Sequence, residues 1–556
     1  VLGEKKLDFG EASNLNELYD NDHQKFIDYN IKDVELIDRM EDKLGLITLC
    51  LTMAYKGGVN YEQVLGTVAI WDSLIYRDLH SKRIAVPMNE ESYKGAYPGG
   101  YVKVPQVGMH DWICSFDLAS LYPSIIMQYN MSPETILLDD EPNVTVETVL
   151  AKQVKNTTPN TALAVGGTRF STTKRGVLPQ IIQEIYDERV EFKHKQIKAE
   201  QELELCGNKS EVYALEKRIA IAKNQQMALK ILLNSLYGAM GNKWFRYFDM
   251  RIAEGITLTG QATIRWAEKY LNEYLNKTLV TNKDYVVAID TDSLYVCLNE
   301  FIKRLGPAKP VDFLDSVCRA LEGTLNECYD DLYNRLGGIE NKMLMEREVI
   351  ANRGIWTAKK RYILNVHDNE GVRYTNPKLK IMGIEAVKSS TPAICRQALK
   401  EIFKRIMDTD EETVQADIAN FKAAFCKASA EEVSFPRGVQ HIKKWQDNKT
   451  LYKKGTPIHV RGAILHNAEV DDKKLKNKIE KIVGGDKVKF TYLIKPNPIK
   501  ENVIAFIDYL PQEFKLEKYV DYNLQFEKTF LGAINPVLEA VGWTSEKQIS
   551  LEDFFV

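Results

Sequence analysis

The chain has little cysteine, no strong charge of one sign and no long apolar run. Its 556 residues include eight cysteines, with no C-x-x-C spacing and no nearby histidine pair. We therefore expect neither a zinc site nor a disulfide framework, which fits a reducing compartment. The longest apolar stretch, residues 45–55, is too short to cross a bilayer, and no signal peptide is apparent. We expect no membrane contact.

The composition is that of a globular protein, with 44% apolar and 27% charged residues. A mass of 63.6 kDa suggests roughly three to four domains. The net charge is only -3, so an enzyme of nucleic acids would have to segregate its lysines on one face. Lysine clusters at residues 443–444, 453–454 and 473–478 fit this, although each alone is as readily a solvated surface. The first residue is Val, which is compatible with a processed, recombinant or incomplete chain.

An acidic turn lies between two apolar, β-rich runs. Asp290-Thr291-Asp292-Ser293 follows residues 285–289 and precedes residues 294–298, which predicts a hairpin with carboxylates at its tip. Two acids at one rigid tip repel each other unless a cation shares them, and hard divalent ions prefer such ligands. The pattern predicts a metal site, although a lone D-T-D is more often a solvated turn.

A second acidic strand end changes that balance. Residues 112–114 lead into Asp117, and Pro123 cannot continue a paired strand, so we expect the backbone to turn just after Tyr122. If Asp117 lies beside Asp290 and Asp292, three carboxylates converge on a volume for two divalent ions. Such a pair of ions stabilises both the attacking and the departing oxygen of a displacement at phosphorus.

Four motifs now carry a resemblance. Residues 116–124 (FDLASLYPS) are similar to the first polymerase motif of family B DNA polymerases, the family that includes the replicases of T-even-type phages. Residues 230–238 (KILLNSLYG) resemble the second motif and Asp290-Thr291-Asp292-Ser293 the third. Residues 359–362 (KKRY) resemble a fourth, which grips primer-template DNA. The motifs occur in the family's order, over most of the chain from about Tyr97 onwards.

The resemblance implies an α+β multidomain fold shaped like a right hand, with an antiparallel-sheet palm, helical-hairpin fingers and a mostly helical thumb. The expected segments are a C-terminal remnant of a 3'-5' exonuclease domain (1–44), a helical connector (45–88), a first palm segment (89–178), fingers (179–242), a second palm segment (243–382) and a thumb (383–556).

The same resemblance implies roles at the carboxylates. Asp117 and Asp292 are expected to hold two Mg²⁺ ions, for which Mn²⁺ could substitute, with the Leu118 carbonyl helping and Asp290 nearby. Glu348 is a weaker candidate, for which a surface salt bridge is the alternative.

The fingers pattern is two amphipathic segments separated by residues 206–210. Arg189 and Lys193 are four residues apart and share one helix face, and Lys230, Asn234 and Tyr237 share another. If the faces meet, three cations converge on one spot that suits a nucleoside triphosphate. Lys230 would act in catalysis, and Gly238 would leave room for the base pair. A charged solvent face with Tyr237 in the core is the alternative.

Further contacts follow from the motifs. Ser120, Leu121 and Tyr122 are expected to line the nucleotide site, where the Tyr122 ring would exclude a 2'-hydroxyl. Lys360 and Tyr362, on one side of a predicted strand, are expected to contact the minor groove. Residues 97–101 (YPGGY) could let DNA approach Gly99 and Gly100, or form only a turn. Arg461 lies in the family's thumb region, which grips duplex through its phosphates.

Both ends of the chain carry further signals. Tyr29 and Asp33 resemble part of the family's third exonuclease motif, but the D-x-E that supplies further ligands is absent. Since one carboxylate cannot hold two metals, we expect no exonuclease activity from this chain alone, and a second chain could complete the domain. Asp33 as an exposed helix acid is the alternative.

The C-terminal peptide has the Q-x-x-L-x-x-F-F spacing of peptides that dock on sliding clamps, formed by Gln548, Leu551, Phe554 and Phe555. One helical turn would place its apolar residues on one side, ready for a groove. The alternative is a segment folded back onto the thumb.

The resulting prediction is a DNA-directed DNA polymerase that adds deoxynucleoside triphosphates to a primer 3'-hydroxyl during phage replication in the bacterial cytoplasm. Two other classes remain: a catalytically silent DNA- and clamp-binding scaffold, and a two-metal nuclease. The joint presence of Asp117, Asp292, Lys230 and Arg189 argues against the scaffold. A nuclease would have no use for a triphosphate-binding helix face.

Overall fold

The computed structural model of the chain describes residues 2, 4, 6–7, 15–88, 95–138, 140–206 and 208–547. Among these residues, helices and strands are interspersed along the chain, and the longest helices lie between residues 177 and 336. The described helices contain no segment that is both long and apolar enough to cross a membrane.

The helices, in chain order, are α1 Leu15–Asn21, α2 His23–Leu44, α3 Leu46–Gly57, α4 Thr67–Ser81, α5 Leu121–Gln128, α6 Val146–Leu150, α7 Val177–Leu205, α8 Lys209–Met240, α9 Met250–Leu279, α10 Asn299–Leu305, α11 Pro310–Leu336, α12 Ala393–Asp408, α13 Glu411–Phe425, α14 Ala430–Val433, α15 Ile442–Trp445, α16 Ile458–Asp472, α17 Tyr522–Phe526 and α18 Gly532–Ala540. Short 3₁₀ turns occur at Tyr61–Gln63, Pro133–Thr135, Glu385–Val387, Gln512–Phe514 and Glu517–Tyr519, and a π turn at Glu527–Leu531.

The strands are β1 Gly108–Leu118, β2 Thr161–Leu163, β3 Arg169–Ser171, β4 Val286–Asp290, β5 Ser293–Cys297, β6 Met345–Ala358, β7 Arg361–Asn369, β8 Val372–Met382, β9 Phe435–Gly438, β10 Gln446–Asp447, β11 Leu451–Tyr452, β12 Lys487–Tyr492 and β13 Val503–Phe506.

A six-stranded antiparallel sheet forms the centre of the molecule, in the order β4-β5-β1-β6-β7-β8. Its strands come from both predicted palm segments, because β1 precedes the α7–α8 hairpin and β4 to β8 follow it. Helices α5, α9 and α11 share the largest apolar core with β1, β4 and β5, around fully buried side chains such as Phe116, Ile256 and Leu325. The predicted α+β class with an antiparallel sheet is confirmed.

A helical hairpin lies in the chain between β1 and β4, the strands that end the first and begin the second part of this sheet. Helices α7 and α8 pack along each other, and the chain reverses between Leu205 and Lys209, where the G-N dipeptide indicated a helix stop. The base of the hairpin is anchored by α4: the indole N–H of the fully buried Trp71 donates to the Leu232 carbonyl (3.1 Å) and the Ser235 hydroxyl (2.9 Å).

The predicted thumb contains two apolar cores. One is helical and brings α12 and α13 onto Phe526 and Phe530. The other contains a sheet in the order β13-β12-β9 packed on α16. The expectation of a mostly helical thumb therefore missed a three-stranded sheet, because short strands with many turns give a weak periodic signal.

Candidate functional site

The carboxylates of Asp117 and Asp292 lie together at the end of the central sheet. Strand β1 pairs with β5 so that Asp117 lies opposite Ser293. The Ser293 hydroxyl is 2.9 Å from Asp117 Oδ1 and 3.4 Å from Asp292 Oδ1. The Leu118 N–H also donates to the Asp292 carbonyl (2.9 Å), which fixes the β4–β5 turn against the end of β1. Asp117 and Ser293, which are 176 positions apart in the chain, are thereby held as neighbours.

Burial makes this pair of acids unfavourable when both are charged. Desolvation, reinforced by the charges of Asp292 and Glu348, raises the pKa of Asp117 to about 7. Desolvation also raises the pKa of Asp292, and the Asp290 charge adds to this effect. The charge of Lys230, on α8, counteracts both shifts, so Lys230 lies close enough for its charge to act on the two carboxylates. The site favours a bound cation.

The turn between β4 and β5 is strained and directs Asp290 elsewhere. Thr291 has φ 61, in the left-handed region that β-branched residues avoid, and the Asp292 N–H donates to the Asp290 carbonyl across it (2.7 Å). The Asp290 carboxylate pairs with Lys360 (3.0 Å). Among the described residues, no three acidic, histidine or cysteine side chains converge into a metal-holding group. Asp117 and Asp292 therefore form a pair, while Asp290 lies close enough for its charge to act on Asp292, and its place near the metal stays a prediction.

The chain turns earlier than the sequence predicted. Strand β1 ends at Leu118 and α5 begins at Leu121, with Ser120 at φ 51 between them. Pro123 lies in the first turn of α5, where a missing N–H costs little, so it does not cause the turn. The early turn presents the Ser120 hydroxyl to Arg189, whose Nη1 donates to it (2.6 Å).

Tyr122 lies in a pocket built around two glycines. Its ring is tilted against that of Tyr237, with centroids 4.7 Å apart. A Cβ on Gly100 would lie 3.0 Å from the Tyr122 hydroxyl, and one on Gly260 would lie 3.1 Å from its ring. Gly100 therefore has a packing role beside Tyr122 that is independent of the predicted DNA contact.

The face of α8 that looks onto the carboxylates is open. Lys230, Asn234 and Gly238 are exposed along it, whereas Tyr237 is half-buried. A Cβ on Gly238 would meet nothing within 4 Å, which leaves the space that the sequence predicted there. On the other helix of the hairpin, Lys193 of α7 pairs with Glu370 (2.8 Å) in the turn between β7 and β8.

Glu348 forms a salt bridge and also lies near the carboxylate pair, the two roles that the sequence left open for it. Its carboxylate accepts from the Ser115 hydroxyl (3.2 Å) and pairs with Lys380 (2.8 Å). Its charge also reaches Asp117, one of the acids whose pKa it raises. Glu348 is thus a salt-bridged residue at the edge of the candidate site.

The residues of the fourth motif do not share a strand face. The turn between β6 and β7 contains Lys359 and Lys360, with Lys360 at φ 60, and β7 begins only at Arg361. The side chain of Tyr362 is 4% exposed, and its hydroxyl forms a hydrogen bond with the hydroxyl of Tyr295 (2.7 Å). The assumption that Lys360 and Tyr362 share one side of a strand is therefore wrong, because the strand begins only after Lys360, and the minor-groove contact of Tyr362 stays a prediction. Lys360 remains exposed.

The remaining candidates make contacts of their own. Gly99 is exposed, and its carbonyl accepts from Gln261 (2.5 Å). Arg461, in α16, donates to Asn502 (2.6 Å) and lies over the Tyr452 ring. In α2, Asp33 pairs with Lys6 (2.8 Å), and Tyr29 is buried.

The proposed clamp-binding residues, which are Gln548, Leu551, Phe554 and Phe555, lie outside the described residues.

Sequence reasoning missed three polar residues that organise the site. Ser293 bridges the carboxylates, and strand alternation next to Asp292 was a usable signal for it. Glu370 and Lys380 carry no local signal, because they reach the site only through the pairing of β7 with β8.

Comparison with known proteins decides the family. Residues 67–540 match the family model for DNA polymerase family B. The chain belongs to the family B DNA polymerases. It is 31% identical to the DNA-directed DNA polymerase of Enterobacteria phage T4, over 97% of this chain and 66% of the phage protein. It is also 31% identical to that of Escherichia phage RB69, over 100% and 67%.

A bacterial relative is more distant. DNA polymerase II of Escherichia coli K12 is 25% identical, over 84% of this family B polymerase and 53% of the bacterial enzyme. The chain spans about two thirds of the length of the two phage relatives.

Proposed function

We propose that this chain carries out template-directed DNA synthesis, adding deoxynucleoside triphosphates to a primer 3'-hydroxyl. The observation that carries the proposal is the buried pair of Asp117 and Asp292, within reach of the charge of Lys230 on the helical hairpin. Acids and cations on facing elements suit a reaction in which a phosphate must be both bound and attacked. Family membership makes polymerisation the reaction to expect.

The donor set at the pair suits Mg²⁺, with Mn²⁺ as a substitute. Two buried carboxylates joined through one hydroxyl offer hard oxygen ligands and an unfavourable excess of negative charge. Asp117, Asp292 and the Leu118 carbonyl would hold the metal. When bound, divalent ions supply a more acidic primer hydroxyl and neutralisation of the phosphates.

The protein's own residues then bind and orient the nucleotide. Arg189, Lys193 and Lys230 would contact the triphosphate and offset the charge that develops on pyrophosphate. Arg189 is already directed at the turn before α5 by its bond to Ser120. The new base pair would contact Asn234, Tyr237 and Gly238, and the sugar would contact Leu121.

Tyr122 is proposed to select the sugar. Contact with Tyr237 and the close approach of Gly100 and Gly260 restrict its ring. A restricted ring cannot withdraw from an added hydroxyl, so a ribonucleotide would collide with it.

Template and primer would be held by phosphate and groove contacts from Lys360, Gly99, Gly100 and Arg461. Such contacts position DNA without reading its sequence. The C-terminal residues 548–555 are proposed to dock on a sliding clamp, and the place of action is proposed to be the cytoplasm of a bacterial host.

The N-terminal helices α2 and α3 expose apolar side chains, which supports the proposal that a further polypeptide segment packs on them. Helix α2 exposes Ile27, Ile31, Val34 and Ile37 along one side, at 39%, 52%, 54% and 59% exposure. Helix α3 adds Leu51 and Tyr55. Exposed apolar stripes of this size usually mark a contact surface. We propose that the rest of an exonuclease domain, in the same or a second chain, covers this face.

The deciding test is primer extension by the purified chain with Mg²⁺, on matched and mismatched primer ends. Extension that requires both template and deoxynucleotides supports the proposal. DNA binding without extension would favour the scaffold, and degradation without nucleotide dependence would favour the nuclease.

A further inference from the structure

The first helix of the hairpin is tied to the edge of the central sheet by a row of polar contacts. Lys193 Nζ lies 2.8 Å from Glu370 Oε1, and Gln201 Nε2 donates to the Gly371 carbonyl (3.2 Å). One turn further along α7, Glu204 pairs with Lys378 (3.3 Å). Helix α7 therefore lies along the β7–β8 hairpin, with Lys193 at the end of the row nearest the carboxylates.

Glu370 is held in place by its backbone. It occupies the tight turn between β7 and β8 with φ 50, and its N–H donates to the Glu348 carbonyl (2.6 Å). The turn is thereby attached to β6, the strand beside Asp117. The Glu370 carboxylate reaches Lys193 from a fixed position.

The ion pair with Glu370 involves Lys193, a residue that the proposed reaction needs for binding the triphosphate. Lys193 is one of the three cations proposed to bind the triphosphate, and an ammonium group cannot serve a carboxylate and a phosphate equally well. The two side chains are 29% and 34% exposed, so water reaches them and the pair can exchange. A triphosphate carries more negative charge than one carboxylate and would displace it.

We propose that Glu370 stands in for the triphosphate at Lys193 in the nucleotide-free protein, and that nucleotide binding must displace it. Glu370 is then a positioning residue that weakens nucleotide binding without touching the reacting atoms. This inference rests on the proposed function. It adds that the competition is for phosphate, so it acts alike on all four deoxynucleotides and on pyrophosphate.

The test is the variant Glu370→Gln in steady-state primer extension. Removing the competing charge should lower KM about two- to fivefold for every deoxynucleotide, because a partly exposed ion pair contributes only weakly. The value of kcat should stay within about twofold, since chemistry is unchanged. Inhibition by added pyrophosphate should strengthen by a similar factor.

A matched control separates competition from simple loosening of α7. Glu204→Gln breaks the next ion pair of the row and leaves Lys193 paired, so it should not change KM. In a Lys193→Met background, Glu370→Gln should have a much smaller effect, because only the charge interaction of Glu370 with Arg189 remains. Glu370→Asn, which suits the left-handed turn, provides a second variant that removes the charge.

Several results would overturn the inference. They are an unchanged or higher KM in both Glu370 variants, an equal decrease in Glu204→Gln, or a decrease restricted to one base. If the unaltered chain extends primers and these results appear, only the role of Glu370 fails. If the unaltered chain shows no extension at all, the proposed function itself fails.

Discussion

The ammonium group of Lys360 lies 3.0 Å from the carboxylate of Asp290, so a predicted DNA-binding lysine is neutralised by an acid of the β4–β5 hairpin. Lys193 and Glu370 repeat the arrangement on the nucleotide side. In both pairs, a carboxylate of the protein forms an ion pair with a lysine that is proposed to bind DNA or the nucleotide. When DNA or nucleotide binds, each lysine would then exchange its carboxylate partner for the ligand.

Replacing Lys360 with Ala should weaken binding of primer-template DNA several-fold, because an exposed cation near the duplex is lost. If Lys360 contacts a phosphate, the slope of log affinity against log salt should also fall by about one. Fluorescence anisotropy with labelled DNA at several salt concentrations measures both quantities. Lys404→Ala, on the exposed side of α12, is the control, and equal affinity of the two variants would remove Lys360 from the DNA interface.

Replacing Asp292 with Ala should reduce the chemical step by several orders of magnitude while DNA binding survives. The change removes one of the two carboxylates proposed to hold the metal and leaves the lysine-bearing surfaces intact. Rapid-quench extension and anisotropy measure the two properties separately. Asp38→Ala, an exposed acid of α2, should behave like the unaltered protein. Normal turnover in Asp292→Ala would exclude the carboxylate pair from catalysis.

Replacing Tyr122 with Ala should relax the exclusion of ribonucleotides, because the ring that would collide with the 2'-hydroxyl is removed. The measurement is the ratio of kcat/KM for a deoxynucleotide and the matching ribonucleotide. Tyr186→Phe, on α7, is a control that changes another tyrosine near the fingers. An unchanged ratio in Tyr122→Ala would rule out the steric selection proposed for this residue.

The contribution of Asp117 to the stability of the metal-free protein should decrease as pH rises from about 4 to 7. In the folded state burial raises the pKa of Asp117 from 3.8 to about 7, so folding favours its protonated form. That contribution is fully present below the unfolded value and is lost as pH rises through the folded value. Each pKa unit corresponds to about 1.36 kcal/mol, so the total effect is on the order of a few kcal/mol.

The measurement is thermal unfolding in a chelator across this pH range, compared with Asp117→Asn. The unaltered protein should lose more stability with rising pH than the variant, and Mg²⁺ should restore it selectively. Parallel pH profiles for the two proteins would contradict the raised pKa. A lack of Mg²⁺ stabilisation would contradict the proposed metal site.

The sequence predicted those features that depend on neighbours along the chain. The acidic β4–β5 turn, the strand ending near Asp117 and the α7–α8 hairpin all follow from local periodicity and turn residues. Features set by pairing between distant strands were not accessible. Three contacts need the full sheet: the burial of Tyr362 against Tyr295, the ion pair of Asp290 with Lys360, and the ion pair of Glu370 with Lys193.

The buried indole of Trp71 has a consequence for motion of the hairpin. Because its N–H is bonded to α8 within the stretch that contains Lys230 and Tyr237, this stretch cannot rotate freely on the body of the protein. Swinging of the hairpin would either carry α4 along as a lever or detach the indole from its acceptors. In a variant that keeps Trp71 and replaces the other six tryptophans, indole emission would report which of these two movements accompanies nucleotide capture.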